Sequence, residues 1–133
     1  MSAVYLDTSA AVKLIVVEAE SGSLRDWLGQ QAGSLLSSAL LAAELLRATT
    51  PHGTDAVAAG RRVVTTLHLA DVDRATLEMA GHLTPQSMRT LDAIHLATAL
   101  KYAHFLTACV TYDSRMISAC KDHGVPVVSP GVD

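Results

Sequence analysis

The chain has few aromatic residues, and this scarcity limits the ways in which it can recognise a ligand. Only 4% of its 133 residues are aromatic, and they are widely separated: Tyr5, Trp27, Tyr102, Phe105 and Tyr112. Proteins that bind single-stranded nucleic acids by stacking need aromatic side chains grouped on one surface. The spacing predicts no such platform here, and core packing explains these residues better.

Cysteine is equally scarce, and no long apolar run is present. Cys109 and Cys120 have neither metal-ligand spacing nor a disulfide framework, and Cys109 lies in an apolar run typical of a buried free thiol. No stretch of about 18 uncharged apolar residues predicts a membrane span. Asp7 also interrupts any signal-peptide pattern near the start of the chain. We therefore expect a cytoplasmic protein with no membrane association.

The chain also lacks a large net charge of either sign. Its net charge is −3, from 13 acidic residues against 10 Lys and Arg. If the four acids discussed below are neutralised by metal, the remaining surface does not repel phosphate. Half of the residues are hydrophobic, which is typical of a globular chain. We expect residues 1–133 to form one domain, with some of the apolar surplus left for an oligomer or partner interface.

Short apolar strands alternate with helical patterns along the whole chain. The predicted strands are 4–6, 35–38, 68–70, 106–111 and 125–128. The predicted helices are 10–17, 21–31, 39–50, 55–67, 73–82, 89–104 and 114–123. This alternation indicates an α/β layered fold with a mainly parallel sheet, and Pro126 places the last strand at an edge.

Four carboxylates occupy positions that packing alone explains poorly. Asp7 and Asp113 each follow a predicted strand, although either side chain could simply cap the next helix. Glu44 lies inside a strongly apolar helix, where an unpaired charge is costly, although Arg47 at i+3 offers an ion pair. Asp92 begins another apolar helix, and the helix dipole gives it only about 0.3–1 kcal/mol of stabilisation.

Taken together, these positions recur at strand ends and helix starts, which converge at one edge of a parallel sheet. Like charges about 5 Å apart repel by roughly 3 kcal/mol per pair at an effective dielectric constant near 20, so such a cluster needs cations or protons. A site made of oxygen ligands alone selects hard ions such as Mg²⁺ or Mn²⁺. Two such ions suit the hydrolysis of a phosphate ester.

The acidic segments, in order and spacing, resemble the PIN-domain nucleases, and specifically the VapC-type toxins of bacterial type II toxin–antitoxin pairs. The matching segments are 5–10 with Lys13 and Leu14, 38–44 with Arg47, 89–97, 110–116 and 124–128. The resemblance implies a three-layer α/β/α fold and RNA cleavage that requires Mg²⁺ or Mn²⁺. It also implies a cognate VapB-type antitoxin and a homodimer.

The resemblance also carries residue roles onto this chain. Asp7 and Asp92 match the positions most directly associated with metal, and Glu44 and Asp113 match the other catalytic acids. Thr8, Ser9 and Thr111 match small hydroxyl residues beside the site, predicted to help hold metal-bound water or phosphate. Apart from the resemblance, Arg89 and Arg115 flank the acids and are predicted to contact the phosphates of the substrate.

Several residues near these motifs keep more than one interpretation. Arg89 and Arg115 are about as well explained as surface residues or as partners of the acids. Lys13 could face either the site or the solvent. His95, three residues after Asp92, has the position of a general base, but a hydrogen-bonded histidine on a packed helix is the better interpretation.

Two other functions compete with the ribonuclease. A catalytically silent PIN-like binding module would use the same acids only to stabilise a metal or an antitoxin. A phospho-acceptor receiver domain is also a parallel α/β fold, but it needs paired acids after the first strand and a late Lys. Asp7 has no acidic neighbour and Pro126 follows no such Lys, so the receiver is the weaker alternative.

Overall fold

The five predicted strands form one parallel sheet in the computed structural model, which describes residues 2–132. The strands are β1 (Ala3–Leu6), β2 (Ser34–Ser38), β3 (His68–Ala70), β4 (Leu106–Val110) and β5 (Val127–Val128). Their order across the sheet is β3-β2-β1-β4-β5, and every neighbouring pair is parallel. The strand with Pro126 before it therefore lies at an edge, as predicted.

Within residues 2–132, seven α-helices connect and cover the strands. They are α1 (Thr8–Lys13), α2 (Ser21–Gly29), α3 (Leu40–Thr49), α4 (Thr54–Thr65), α5 (Arg74–His82), α6 (Thr90–Lys101) and α7 (Ser114–Asp122), with a short 3₁₀ turn at Thr50–His52. Within residues 2–132, no helix is both long and apolar enough to cross a bilayer.

Alternate residues of the central strand β1 serve two separate cores. Val4 and Leu6 pack on one face, against side chains of α1, α2 and α3. Tyr5 packs on the other face, against side chains of α6 and α7. Because a parallel sheet is stable only when helices cover both faces, this arrangement gives three layers. The predicted α/β/α fold is confirmed.

The ends of the elements differ from the sequence prediction at two places that matter for the site. The first helix was predicted at 10–17 but spans Thr8–Lys13, and the Lys13 side chain bonds to Glu18 and Glu20 at 2.7 and 3.0 Å. The long apolar helix was predicted at 89–104 but spans Thr90–Lys101. Arg89 therefore has an extended backbone and stands at the entrance to α6.

Candidate active site

The four predicted acids lie around one cleft of about 320 Å³, beyond the carboxyl ends of β1 and β4. Asp7 follows β1, Glu44 projects from α3, Asp92 lies in the first turn of α6, and Asp113 precedes α7. The complete lining is Asp7, Thr8, Ser9, Glu44, Arg89, Thr90, Leu91, Asp92 and Asp113. Residues that are far apart in the sequence are therefore brought into one pocket.

Asp7 is the most buried of the four acids, with 5% of its surface exposed. Its Oδ2 atom accepts hydrogen bonds from the Ser9 and Thr111 hydroxyls, both at 2.8 Å. It occupies the N-cap position of α1, but within the described chain its side chain accepts no capping bond. The capping interpretation is therefore wrong for Asp7, whose carboxylate is held instead by two hydroxyl groups.

Asp113, by contrast, does cap its helix. Its Oδ1 atom accepts a hydrogen bond from the backbone N–H of Arg115 at 2.9 Å, at the start of α7. Its Oδ2 atom lies 3.3 Å from Nη2 of Arg89. The two interpretations of Asp113 are therefore compatible, because one oxygen caps the helix while the other faces the cleft.

Glu44 is bound to a buried histidine that the sequence analysis had set aside. Its Oε1 atom lies 2.6 Å from Nε2 of His95 and accepts a 2.8 Å hydrogen bond from the Thr8 hydroxyl. Burial tends to raise the pKa of Glu44, but these hydrogen bonds and the charge of His95 lower it overall. The partner predicted from helix spacing, Arg47, forms no ion pair with Glu44 in residues 2–132.

His95 connects this site to the core of the protein. Its side chain is 1% exposed, and its Nδ1 atom lies 2.6 Å from the hydroxyl of Tyr5. Burial tends to lower the pKa of His95, but its bond to Glu44 and the nearby charges raise it above its ordinary value. The prediction of a hydrogen-bonded histidine on a packed helix agrees with these contacts. Its link to a site acid was missed.

Asp92 and Asp113 face the same guanidinium group. The Nε atom of Arg89 lies 3.3 Å from Asp92 Oδ2, and its Nη2 atom lies 3.3 Å from Asp113 Oδ2. Burial and the charge of Asp113 raise the pKa of Asp92, and the charge of Arg89 offsets only part of this rise. Of the two interpretations of Arg89, partnership with the acids is the one that its contacts show.

Two of the three hydroxyl groups predicted beside the acids, those of Ser9 and Thr111, form one connected network. Thr111 is fully buried, and its Oγ1 atom lies 3.1 Å from the Ser9 hydroxyl. The backbone N–H of Tyr112 donates to Ser9, and that of Asp113 donates to Thr111, at 2.9 and 3.2 Å. These bonds join the end of β4 to the start of α1, and so fix Asp7 relative to Asp113.

Two other basic residues of the motifs, Arg115 and Lys13, lie outside the acidic cleft. Arg115 lines a neighbouring cleft of about 520 Å³ together with Ser87, Ser114 and Ser118. Lys13 is 8% exposed, bonded to Glu18 and Glu20, and lies 4.7 Å from the centre of the Tyr112 ring. Lys13 therefore faces neither the solvent nor the acidic cleft.

Comparison with known proteins places this geometry in a family. The model of the PIN domain matches residues 4–128. Ribonuclease VapC46 of Mycobacterium tuberculosis is 48% identical over 130 residues, which cover 98% of this chain and 99% of the relative. The chain belongs to the PIN-domain family. Ribonuclease VapC47 of the same species is 36% identical over 132 residues, covering 96% of this PIN domain and 97% of the relative.

Solved structures show the same fold at low sequence identity. Mycobacterium tuberculosis VapC20, a toxin that cleaves the sarcin–ricin loop, superposes on this PIN domain with a TM-score of 0.75 at 19% identity, covering 96% of this chain and 99% of that chain. A toxin–antitoxin complex from Klebsiella pneumoniae superposes with a TM-score of 0.70 at 18% identity, covering 96% and 97%. These similarities support the three-layer fold.

The donor atoms of the cleft suit a hard divalent cation, but each acid already has a partner. Among residues 2–132, no three His, Cys, Asp or Glu side chains form a group arranged to hold an ion. Asp7 faces hydroxyls, Glu44 faces His95, and Asp92 and Asp113 face Arg89. Carboxylate and hydroxyl oxygens are nevertheless the ligands that Mg²⁺ and Mn²⁺ prefer. The residue types in the cleft of this PIN domain therefore suit such an ion, which would bind once the acids release their present partners.

Proposed function

We propose that this PIN domain is a metal-dependent endoribonuclease and the toxin of a toxin–antitoxin pair. The observation that carries the proposal is the convergence of Asp7, Glu44, Asp92 and Asp113 from four separate elements on one cleft. The relatives named as VapC ribonucleases support RNA as the substrate. Membership of the PIN-domain family argues against the receiver-domain alternative.

We further propose that the four acids hold Mg²⁺ or Mn²⁺. Such ions, when bound, activate a water molecule and stabilise the leaving oxygen of a phosphodiester. The residues of the chain position the acids: Ser9 and Thr111 hold Asp7, while Thr8 and His95 hold Glu44. Substrate contacts are assigned to the same hydroxyl residues and to two arginines, Arg89 at the cleft and Arg115 beside it.

We also propose the partners and the location of this enzyme. The toxin–antitoxin complex with a similar fold supports a VapB-type antitoxin as the protein partner. A homodimer is supported by exposed apolar side chains on α5 and at the start of α6: Leu77, Met79 and Leu91. Cys109 and Cys120 are buried free thiols, which suit a reducing compartment and support a cytoplasmic location. We propose that residues 1–133 act as a single domain.

The decisive experiment replaces Asp92 with Asn and incubates purified protein with total cellular RNA, with Mg²⁺ or with a chelator. We expect cleavage to fall by about two orders of magnitude or more, because loss of even an indirect metal contact costs about 10–100-fold. Asp26→Asn, at an exposed position on α2, is the matched control and should cleave normally. Mapping the RNA ends produced then identifies the cleavage site.

This experiment also separates the enzyme from the silent binding module. A silent module would give no metal-dependent cleavage with the unaltered chain, while still binding an antitoxin. Cleavage by Asp92→Asn that continues at the original rate, or cleavage that persists in the chelator, would contradict the mechanism proposed here.

A further inference from the structure

Arg89 bridges two of the four cleft acids from the solvent side. Its guanidinium lies 3.3 Å from Oδ2 of Asp92 and 3.3 Å from Oδ2 of Asp113. The Arg89 side chain is 62% exposed, whereas those of Asp92 and Asp113 are 16% and 26% exposed. The arginine therefore reaches inward from the rim to two carboxylates that lie deeper in the site.

The contacts of Arg89 use cleft-facing oxygens that a metal ion would also need. Oδ1 of Asp113 is occupied by the backbone N–H of Arg115, so Oδ2 is the oxygen left for a ligand in the cleft. The planar guanidinium can contact two carboxylates at once, which the single ammonium of a lysine does less well. A divalent cation held by Asp92 and Asp113 would therefore need the oxygens that the Arg89 guanidinium contacts.

The arginine is also easy to displace. Exposed ion pairs at this separation contribute little free energy, and a long side chain at a helix entrance has many other conformations. Arg89 has an extended backbone and precedes α6, so its side chain can turn outward without disturbing the helix. Turned outward, its guanidinium would stand at the rim of the cleft, where it can form charge-assisted bonds with phosphate.

We propose that Arg89 is an internal counter-cation that competes with the divalent ion for Asp92 and Asp113. On this view, binding of the ion releases the guanidinium toward the phosphate of the RNA, so metal binding prepares the substrate contact. The inference rests on the proposed function, because it assumes that these two acids hold the ion. It goes further by giving Arg89 opposite effects on metal affinity and on RNA cleavage.

The test measures the Kd of Mn²⁺ alone, by electron paramagnetic resonance of the free ion, for the unaltered protein and four variants. Arg89→Ala should bind Mn²⁺ about three- to tenfold more tightly, since two weak ion pairs no longer compete. Arg89→Lys should give an intermediate Kd. RNA cleavage by Arg89→Ala at saturating Mn²⁺ should nevertheless fall, because the phosphate contact is lost.

Arg115→Ala is the matched control. It removes the same charge from the start of α7, where Arg115 lines the neighbouring cleft, and in residues 2–132 its side chain forms no ion pair with the acids. We expect its Kd for Mn²⁺ to change by less than about twofold, because charges exposed to solvent are screened. If Arg89→Ala does not fold, Arg89→Gln provides the same comparison with a side chain of similar length.

The outcomes distinguish this inference from the proposed function. If Arg89→Ala or Arg89→Gln binds Mn²⁺ no more tightly than Arg115→Ala, the competition does not exist, although the metal site can stand. Asp92→Asn is the fourth variant and should weaken Mn²⁺ binding. If the unaltered protein binds no Mn²⁺, or Asp92→Asn binds it equally well, the proposed metal site fails and the role of Arg89 fails with it.

Discussion

Replacing Tyr5 with Phe tests whether the hydrogen-bonded chain behind the site stabilises the fold. A carboxylate can only accept, so His95 Nε2 donates to Glu44, and the Tyr5 hydroxyl pairs with Nδ1, as the donor to a neutral ring or as the acceptor from a protonated one. Tyr5 is 0% exposed and His95 1% exposed, so water cannot replace the lost hydroxyl. The ring still fills its place in the core, so no cavity term arises.

The expected cost follows from the group that loses its partner. A buried polar atom left without a hydrogen bond costs about 1–3 kcal/mol, and here that atom is Nδ1 of His95. We therefore expect Tyr5→Phe to lower the free energy of unfolding by about 2 kcal/mol. At a urea m-value of about 1.5 kcal/mol/M, the midpoint would fall by roughly 1.3 M.

The assay is urea unfolding followed by circular dichroism, with Tyr112→Phe as the matched control. The Tyr112 hydroxyl donates to the carbonyl of Pro130 at 2.6 Å, but this residue is only partly buried, and water can take over the contact. Its removal should cost less than about 1 kcal/mol. If Tyr5→Phe costs no more than Tyr112→Phe, the link between Tyr5 and His95 contributes nothing to stability and our reasoning is wrong.

Two further predictions concern the hydroxyl network and a helix cap. Thr111→Val removes the hydrogen bond to Asp7 and the hydrogen bond from the N–H of Asp113. It should therefore destabilise the fold by about 1–3 kcal/mol and weaken Mn²⁺ binding about tenfold. Thr111→Ser keeps the hydroxyl and should restore both the stability and the Mn²⁺ affinity. Equal Mn²⁺ affinity in Val and Ser variants would contradict this. Hydrogen bonds from the Thr76 side chain and backbone hold the pKa of Asp73 below its ordinary value of 3.8. The ionised Asp73 therefore stabilises the fold fully above pH 3.8, and this contribution is lost as the pH falls through the pKa of the folded state. Asp73→Ala should therefore be less stable than the unaltered protein in urea at pH 7, with a difference that shrinks as the pH falls below 3.8; a difference that is independent of pH would contradict the cap.

The sequence predicted the layers of the fold better than the ends of its elements. All five strands and all seven helices were predicted at close to their observed positions, because their apolar residues recur with clear periodicity. The first helix was extended too far, to residue 17, since Leu14-Ile15-Val16-Val17 continues the apolar pattern. In the structure α1 ends at Lys13, whose side chain bonds to Glu18 and Glu20, and such contacts depend on the folded chain.

The candidate site shows a similar division between what sequence predicts and what it misses. The convergence of Asp7, Asp92 and Asp113 followed from strand ends and helix starts, which topology alone brings to one edge, and Glu44 joins them from inside α3. The sequence did not predict which residue contacts each acid. Helix spacing suggested Arg47 for Glu44, whereas the structure uses His95 from another helix. No local pattern distinguishes these two partners, because the choice depends on how α3 and α6 pack against the sheet.

These partners explain how the chain can fold with four acids in one pocket. Unpaired carboxylates about 5 Å apart would repel by roughly 3 kcal/mol per pair, which is a large fraction of the stability of a typical domain. His95 and Arg89 reduce that repulsion from opposite sides, one buried at 1% exposure and one 62% exposed. The buried partner cannot leave without breaking its hydrogen bonds to Glu44 and Tyr5, so it holds the geometry of the site. The exposed partner can leave at little cost, so it is the one that a divalent cation can replace.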